Sequence, residues 1–340
     1  MVEIFIIAEA GVNHNGCLDT AKKLANVAYV SGADAIKFQA WKTSEIIEPG
    51  TETAEYQLLT TGDSDQHKML KALEVDLSFL KEVYSHCTEI GIEFMCTADD
   101  ILSLSEIDSL LLRYKVGSGD LDNYLLLNEL AKKRNPIILS TGLSDIDRVS
   151  AAIQYLSENG CEESKISLLQ CTSCYPAATE ELNLSVIDAF RTIFPRIRSV
   201  GFSDHSLGSD AALVALGVGA RIFEKHITLD KNMKGPDHQA SLSPEEFKCY
   251  VSKLKSGAKT LGSPIKTLTA GEVQNKNVIE KFVFAKKELK VGTQLSLTDL
   301  RLLRTNRGKI TAHDLPSIIG AVVKNNIQEG EPISKMDLDV

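Results

Sequence analysis

The chain has 340 residues, 43% hydrophobic and 24% charged, with a formal net charge of −9, the composition of an ordinary globular protein long enough for two domains. This acidic balance disfavours nucleic acid as a partner, because phosphate-backbone binding needs basic stripes; an anionic substrate stays open if a few lysines and arginines converge. No apolar run reaches the roughly 20 residues that span a bilayer, the opening MVEIFIIAEAG lacks the basic segment of a signal peptide, and seven cysteines are too sparse for a disulfide scaffold, so a reducing cytoplasm is the expected location.

Residues 4–9 begin a series of eight short apolar runs, continued at 34–39, 92–97, 113–118, 136–141, 166–171, 199–204 and 221–226. Each is strand-length, rich in Ile, Val, Leu or Phe, and followed by helical spacing. Strands alternating with helices imply right-handed crossovers and a parallel sheet; eight such units predict a closed (β/α)8 TIM barrel over residues 1–262. The first helix, near 18–30, stops at Ser31-Gly32 and another, near 78–90, at Gly91, since glycine suits a left-handed helix exit. Between Gln39 and Ser78 lie 38 residues. A helix near 65–73 is expected there, and insertions this long after a barrel strand build or cover active sites. Ser144 is the expected cap of a helix reaching residue 155, with Asp145 and Asp147 in its first turn. Ser243-Pro244-Glu245-Glu246 reads as N-cap, proline and two acids opening a helix to about residue 261 that closes the barrel. Residues 263–280, with Gly, Pro, Thr and Asn, read as a linker. Short strands with turns then fall at 282–285, 292–293, 300–304, 321–323 and 330–332, predicting a small, mostly β domain over 281–340.

In such a barrel the active site sits at the carboxyl ends of the strands. Those ends carry Glu9, Lys37, Gln39, Thr97, Lys115, Ser118, Ser140, Thr141, His205 and His226. His205 and His226 lie at the mouths of adjacent strands, so both rings can face one divalent ion, with Glu9 and Asp237 on the same face. Hydrogen-bonded structural histidines are the competing explanation, and mixed N and O ligation suits Mn²⁺, Zn²⁺ or Fe²⁺ without choosing among them. Lys37, Lys115 and Lys225 form a second set. An ammonium inside a barrel is costly unless paired, so these point either to an anionic ligand or to a carboxylate such as Glu224 or Asp120. Ser118, Ser140, Thr141 and Ser203, with Gly117, Gly119 and Gly142, offer hydroxyls and close backbone approach to an oxyanion such as phosphate or carboxylate. Cys171-Thr172-Ser173-Cys174 has C-x-x-C spacing without a helix start or second pair, so no redox or zinc role is expected. Asn13-His14-Asn15-Gly16 reads as a turn whose His14 can also line the site. Trp41 and Tyr56 either line the long connection or pack in a core.

Several of these residues fall in ordered motifs. Ala8-Glu9-Ala10-Gly11-Val12-Asn13-His14-Asn15-Gly16, Lys37-Phe38-Gln39, Tyr114-Lys115-Val116-Gly117-Ser118-Gly119, Leu139-Ser140-Thr141-Gly142, Cys171-Thr172 with Tyr175-Pro176, Phe202-Ser203-Asp204-His205, Glu224-Lys225-His226 and Gly235-Pro236-Asp237-His238 follow one another along the chain. Together they resemble the sialic acid synthase family over essentially its whole length, including a tail similar to that family's antifreeze-like (SAF) domain. The resemblance implies a transferase that condenses phosphoenolpyruvate with an N-acetylmannosamine-type sugar, giving a sialic acid and phosphate by C–O cleavage. It further implies a divalent metal, usually Mn²⁺, and a domain-swapped homodimer. His205 and His226 match the metal ligands, and Lys37, Thr97, Lys115, Ser118, Ser140 and Ser203 match residues that hold phosphoenolpyruvate. Glu9, Gln39, Tyr175 and Asp237 match the sugar and water end, with Glu9 as a base. Thr141, Ser173 and Asp120 join the substrate-contacting set, and Arg304 matches a tail arginine that reaches the N-acetyl group in the partner subunit.

Three departures stand near the expected sugar position: Cys96-Thr97-Ala98-Asp99 for Ser-Thr-Pro-Phe, Asp120 for Glu, and Arg304-Thr305-Asn306-Arg307-Gly308 for Arg-Pro-Gly/Ala-Asn-Gly. They leave the acceptor open between a precursor of N-acetylneuraminate and one of N,N'-diacetyllegionaminate or another nonulosonate. A Schiff-base aldolase using Lys115 or Lys225 is the rival enzyme; it predicts borohydride trapping and indifference to chelators. A non-catalytic sugar-binding protein is the other rival, and the full set of two histidines and three lysines speaks against it.

Overall fold

The computed structural model describes residues 2–53 and 64–339, and the chain divides into two compact units, 1–262 and 263–340. In the first, parallel strands β1 (Phe5–Gly11), β2 (Ala35–Ala40), β3 (Glu93–Ala98), β4 (Tyr114–Val116), β5 (Ile137–Ser140), β6 (Ile166–Cys171), β7 (Ser199–Asp204) and β8 (Ile222–His226) pair in chain order, and β8 closes on β1. Helices α1 (Leu18–Ser31), α2 (Thr43–Ile46), α3 (Gln66–Leu73), α4 (Leu77–Ile90), α5 (Ile101–Ile107), α6 (Tyr124–Ala131), α7 (Ile146–Glu158), α8 (Val186–Ile193), α9 (Asp210–Gly217) and α10 (Pro244–Leu261) accompany them.

Strand alternation decides what the barrel encloses. Ile7, Ala35, Met95, Ile138, Leu169 and Ile222 form one apolar cluster. Two residues further along the same strands stand Glu9, Lys37, Thr97, Ser140, Cys171 and Glu224, all buried. The opposite parity, including Phe38, Phe202 and Phe223, belongs to the larger core shared with Phe247 and Tyr250 of α10; burying each such side chain contributes roughly 1.5–3 kcal/mol. Lys225, between Glu224 and His226, has this outward parity. Its ammonium lies 3.1 Å from Asp204, donates to the Ser206 carbonyl and stands 5.8 Å over the Tyr250 ring. Lys225 therefore does not join Lys37 and Lys115, contrary to the grouping drawn from the sequence.

The helix punctuation follows local chemistry. Gly32 and Gly91 end α1 and α4 with φ of 86° and 84°. Asp145, not Ser144, caps α7: its carboxylate accepts from Arg148 N at 3.0 Å. Ser243 and Glu246 close a capping box ahead of α10. Helix α3 lies in the long connection, capped by Asp65, while Tyr56 falls outside the described residues.

In the second unit the expected linker over 263–280 contains a helix, α11 (Ala270–Ile279), started by a Thr269–Glu272 capping box. Antiparallel β9 (Lys281–Ala285) and β10 (Leu300–Arg304), and β11 (Val322–Val323) with β12 (Leu338–Asp339), surround a small core that includes Val283, Leu289, Leu295, Ile310 and Ile333. Gly292 and Gly330 are turn positions with φ of 87° and 81° rather than strands. Among the described residues no helix is long and apolar enough to cross a membrane.

Candidate active site

A cavity of about 480 Å³ is lined by Glu9, Lys37, Gln39, Thr97, Lys115, Ser118, Asp120, Ser140, Ser173, Tyr175, Ser203, His205, His226 and Asp237, together with Trp41, Leu70, Leu73, Asp99, Leu143, Cys171 and Glu224. Its deepest chemistry is ionic. Lys37 Nζ stands 2.8 Å from Glu9 Oε2, donates to Thr97 Oγ1 at 3.0 Å and is 3.8 Å from Glu224. Lys115 Nζ donates to Ser140 Oγ at 2.7 Å and to the Val116 carbonyl at 3.0 Å, and lies 3.6 Å from Glu224 Oε1, which also accepts from Ser203 Oγ at 2.9 Å. The carboxylate partner foreseen for the lysines is thus Glu224, not Asp120. Burial alone would raise the Glu224 pKa, but Lys115 and Lys37 overcome it and hold the group at about 2. The same carboxylates carry Lys37 upward against its own burial. Burial outweighs Lys37 at Glu9 and, with the like charge of Glu224, pushes that carboxyl up to about 8. Two carboxylates with pKa values driven apart in one site divide into a permanent anion and a group able to carry a proton near neutrality.

Hydroxyls gather beside Lys115. Gly142 N donates to Ser118 Oγ at 3.0 Å. A Cβ on Gly142 would lie 2.7 Å from Ser118 Oγ and closer still to Ser173 Oγ, so only glycine lets both hydroxyls and this backbone share the space. Thr141 is not part of this cluster: one residue past Ser140 it has the outward parity, and its hydroxyl donates to the Leu169 carbonyl at 2.9 Å.

On the β1 side three side chains converge over Gly11, which has φ of 51°: a Cβ there would meet Glu9 Oε1 at 3.3 Å, and Asp237 Oδ2 and Gln39 Oε1 at 3.7 Å each. Burial holds Asp237 up at about 6. Next to it stand the imidazoles of His205 and His226, ring centroids 5.5 Å apart, with Tyr175 tilted by 31° over His205 at 4.1 Å and edge-on to His226 at 5.7 Å.

The donors at this corner suit a divalent ion in part. His205 Nδ1 lies 2.8 Å from the Thr172 carbonyl, a bond that makes Nδ1 the donor and leaves Nε2 with its lone pair. His226 Nδ1 is buried without a hydrogen-bond partner among the described residues and is 3.9 Å from Asp237 Oδ2. Burial and the neighbouring His205 keep His226 well below the ordinary histidine value, hence neutral and able to ligate. His205 is drawn the other way: burial lowers it, but Cys171 and the Thr172 carbonyl raise it further, a preference that a cation beside the ring would reverse. Among the described residues no set of three or more His, Cys, Asp or Glu closes on one point. An ion held by the two imidazoles would complete its shell with substrate or water oxygens.

Other expectations resolve differently. His14 is a turn residue: Nδ1 accepts from Gly16 N at 3.0 Å and the ring packs 5.0 Å from that of Phe79, away from the cavity. Cys171 is buried and Cys174 exposed, both free thiols. Arg304 is exposed at the end of β10 in the second unit, and Gly308 behind it lies so close on the Phe282 ring that no Cβ fits. Asp99 was legible in the sequence only as a departure from a motif. It lines the cavity, and burial with the like charge of Asp120 raises it to about 7. The cavity roles of Leu70, Leu73 and Leu143 carried no sequence signal, because apolar residues look the same at a core and at a pocket wall.

A model of the NeuB family matches residues 24–266, and a model of the SAF domain matches residues 280–339. The N,N'-diacetyllegionaminic acid synthase of Campylobacter jejuni is 39% identical over 98% of this chain and 99% of its own length. That of Legionella pneumophila is 38% identical over 96% and 92%. Among solved structures, N-acetylneuraminic acid synthetase from Leptospira borgpetersenii, determined in complex with citrate, superposes with a TM-score of 0.68 at 28% identity, covering 82% of this chain and 92% of that one. The chain belongs to the NeuB family, is an enzyme of that family, and ends in a SAF domain.

Proposed function

We propose that this enzyme condenses phosphoenolpyruvate with an N-acetylated mannosamine-type sugar, forming a nine-carbon sialic acid and releasing phosphate by C–O cleavage. The observation that carries this reading is one cavity in which Lys37 and Lys115, with Thr97, Ser118, Ser140 and Ser173, face two imidazoles and the Glu9–Gln39–Asp237 group. The first set supplies cations and hydroxyls to a phosphate and a carboxylate; the second supplies carboxylates where a sugar carbonyl and a water would meet.

In this reading the phosphoenolpyruvate C3 attacks the aldehyde carbon of the open-chain sugar, and the electron deficiency left at C2 is stabilised by the fixed anions nearby. Water adds at C2 with Glu9 taking its proton, and the tetrahedral intermediate collapses with loss of phosphate. Burial raises the Glu9 pKa to about 8, so near neutrality Glu9 enters protonated, gives that proton to the aldehyde oxygen as the C–C bond forms, and is then the carboxylate that takes the proton of the water. Lys37 and Lys115 position and neutralise; no P–O bond breaks. His205 and His226 would hold a divalent ion, Mn²⁺ in this proposal, which when bound polarises a carbonyl as a Lewis acid. The proposal extends to a cytoplasmic, domain-swapped homodimer in which Arg304 of one subunit serves the acetamido group bound by the other.

The names of the two relatives favour N,N'-diacetyllegionaminate as the alternative product. Phosphate release from phosphoenolpyruvate, measured with N-acetylmannosamine, with its analogue bearing a second acetamido group, and with arabinose 5-phosphate, tests the reading. Turnover of an acetamido sugar supports it; release with none of the three overturns it.

A further inference from the structure

Trp41 and Asp99 are side-by-side neighbours at the cavity mouth. Ala40 and Ala98 are register partners on β2 and β3, and Asp99 N donates to the Ala40 carbonyl at 3.0 Å, so the next residue of each strand emerges at the same edge. Both line the cavity, with Leu70 and Leu73 of α3 on the same wall. Trp41 is 3% exposed, yet its indole Nε1–H has no hydrogen-bond partner among the described residues. A buried N–H left in that state is destabilising, which marks a position waiting for an acceptor. The Asp99 carboxylate makes no hydrogen bond or ion pair with a described residue either. Asp100 beside it is fully engaged by Lys42 N and Ser103.

A free N–H donor, a free carboxylate acceptor and a leucine wall are the complement of a secondary amide bearing a methyl group. We propose that Trp41, Asp99, Leu70 and Leu73 form a subsite for an acetamido substituent of the acceptor sugar, additional to the one the sequence resemblance assigns to Arg304. The amide carbonyl accepts from Trp41 Nε1, its N–H donates to Asp99, and the methyl packs on Leu70 and Leu73. The acceptor class is then a sugar with two acetamido groups. This rests on the condensation reading above and narrows it.

The experiment is steady-state phosphate release from phosphoenolpyruvate by the full chain supplied with Mn²⁺, comparing N-acetylmannosamine with its diacetamido analogue. The analogue is expected to be preferred at least about tenfold in kcat/KM, the scale of one well-made hydrogen-bonded contact. Trp41→Phe, which keeps the ring and deletes the N–H, and Asp99→Leu should each lower that preference about five- to tenfold through the KM of the diacetamido sugar. Folding is checked by thermal melting. A preference for the mono-acetamido sugar, or an equal penalty on both sugars in the variants, overturns the subsite while leaving the condensation reading standing. If neither sugar is turned over, the condensation reading falls and the subsite with it.

Discussion

Glu9 and Lys37 are register partners on β1 and β2, and their side chains meet at 2.8 Å inside the barrel. The pair does not stand alone, because Glu224 reaches toward both Lys37 and Lys115 from β8. Each lysine therefore neutralises protein carboxylates as well as any anionic ligand. Lys37→Ala and Lys115→Ala should weaken phosphoenolpyruvate binding by roughly 2–5 kcal/mol, as expected when a buried charge loses its partner. They should also lower the melting temperature, since Glu224 is left underpaired. Calorimetric titration with phosphoenolpyruvate checks this. Normal binding by both variants would remove the lysines from the cradle, and borohydride trapping of Lys115 with substrate would favour the aldolase instead.

Glycine 142 offers a sharper test of the hydroxyl cluster. Gly142→Ala forces Ser118 and Ser173 apart and should reduce kcat/KM for phosphoenolpyruvate by more than about tenfold, a misplacement effect. Thr141→Val, one residue away but turned outward, should change that parameter less than about twofold. Equal losses in the two variants would argue that the loop, rather than the hydroxyl geometry, is what matters.

Chelation should abolish activity and Mn²⁺ should restore it. His205→Ala and His226→Ala should each lower kcat by orders of magnitude, lose Mn²⁺ binding by calorimetry, and keep most of their affinity for phosphoenolpyruvate. Full activity in excess EDTA from protein free of metal would refute the assignment.

For the tail, mixing inactive His226→Ala with inactive Arg304→Ala protein under subunit exchange should recover part of the activity, because a heterodimer with crossed tails contains one intact site. Absence of recovery after exchange has been verified by mass spectrometry would assign Arg304 to its own chain.

The second unit carries its own pH dependence. Asp299 accepts from Ser296 N and Oγ at 2.9 and 2.7 Å and lies 2.7 Å from Lys287, contacts that hold its pKa at about 2, below the ordinary 3.8. A depressed folded-state value means the contribution is complete above pH about 4 and is lost as pH falls toward 2. Amide hydrogen exchange in residues 281–339 of the full chain, corrected for intrinsic rates, should show protection falling over that window. In Asp299→Asn the neutral-pH protection should be lower by about 1 kcal/mol, with a flatter acid limb; an unchanged limb would exclude Asp299 as its source.

The sequence by itself determined the eight-strand alternation and most of the residues that line the cavity, since both follow from period-two burial in parallel strands and from polar groups at strand ends. It also contained the Thr269–Glu272 box that starts a helix inside the apparent linker, a local signal outweighed there by Gly and Pro composition. Parity alone separates Lys225 from Glu224 and His226, yet similar charge grouped it with Lys37 and Lys115. Barrel closure decided the rest. Glu224 can serve Lys37 and Lys115 together only because β8 returns to β1 and the ring brings distant strands to one lumen. Trp41 meets Asp99 only because β2 and β3 pair Ala40 with Ala98. Such contacts depend on register between strands dozens of residues apart, which hydrophobic periodicity within a strand does not encode.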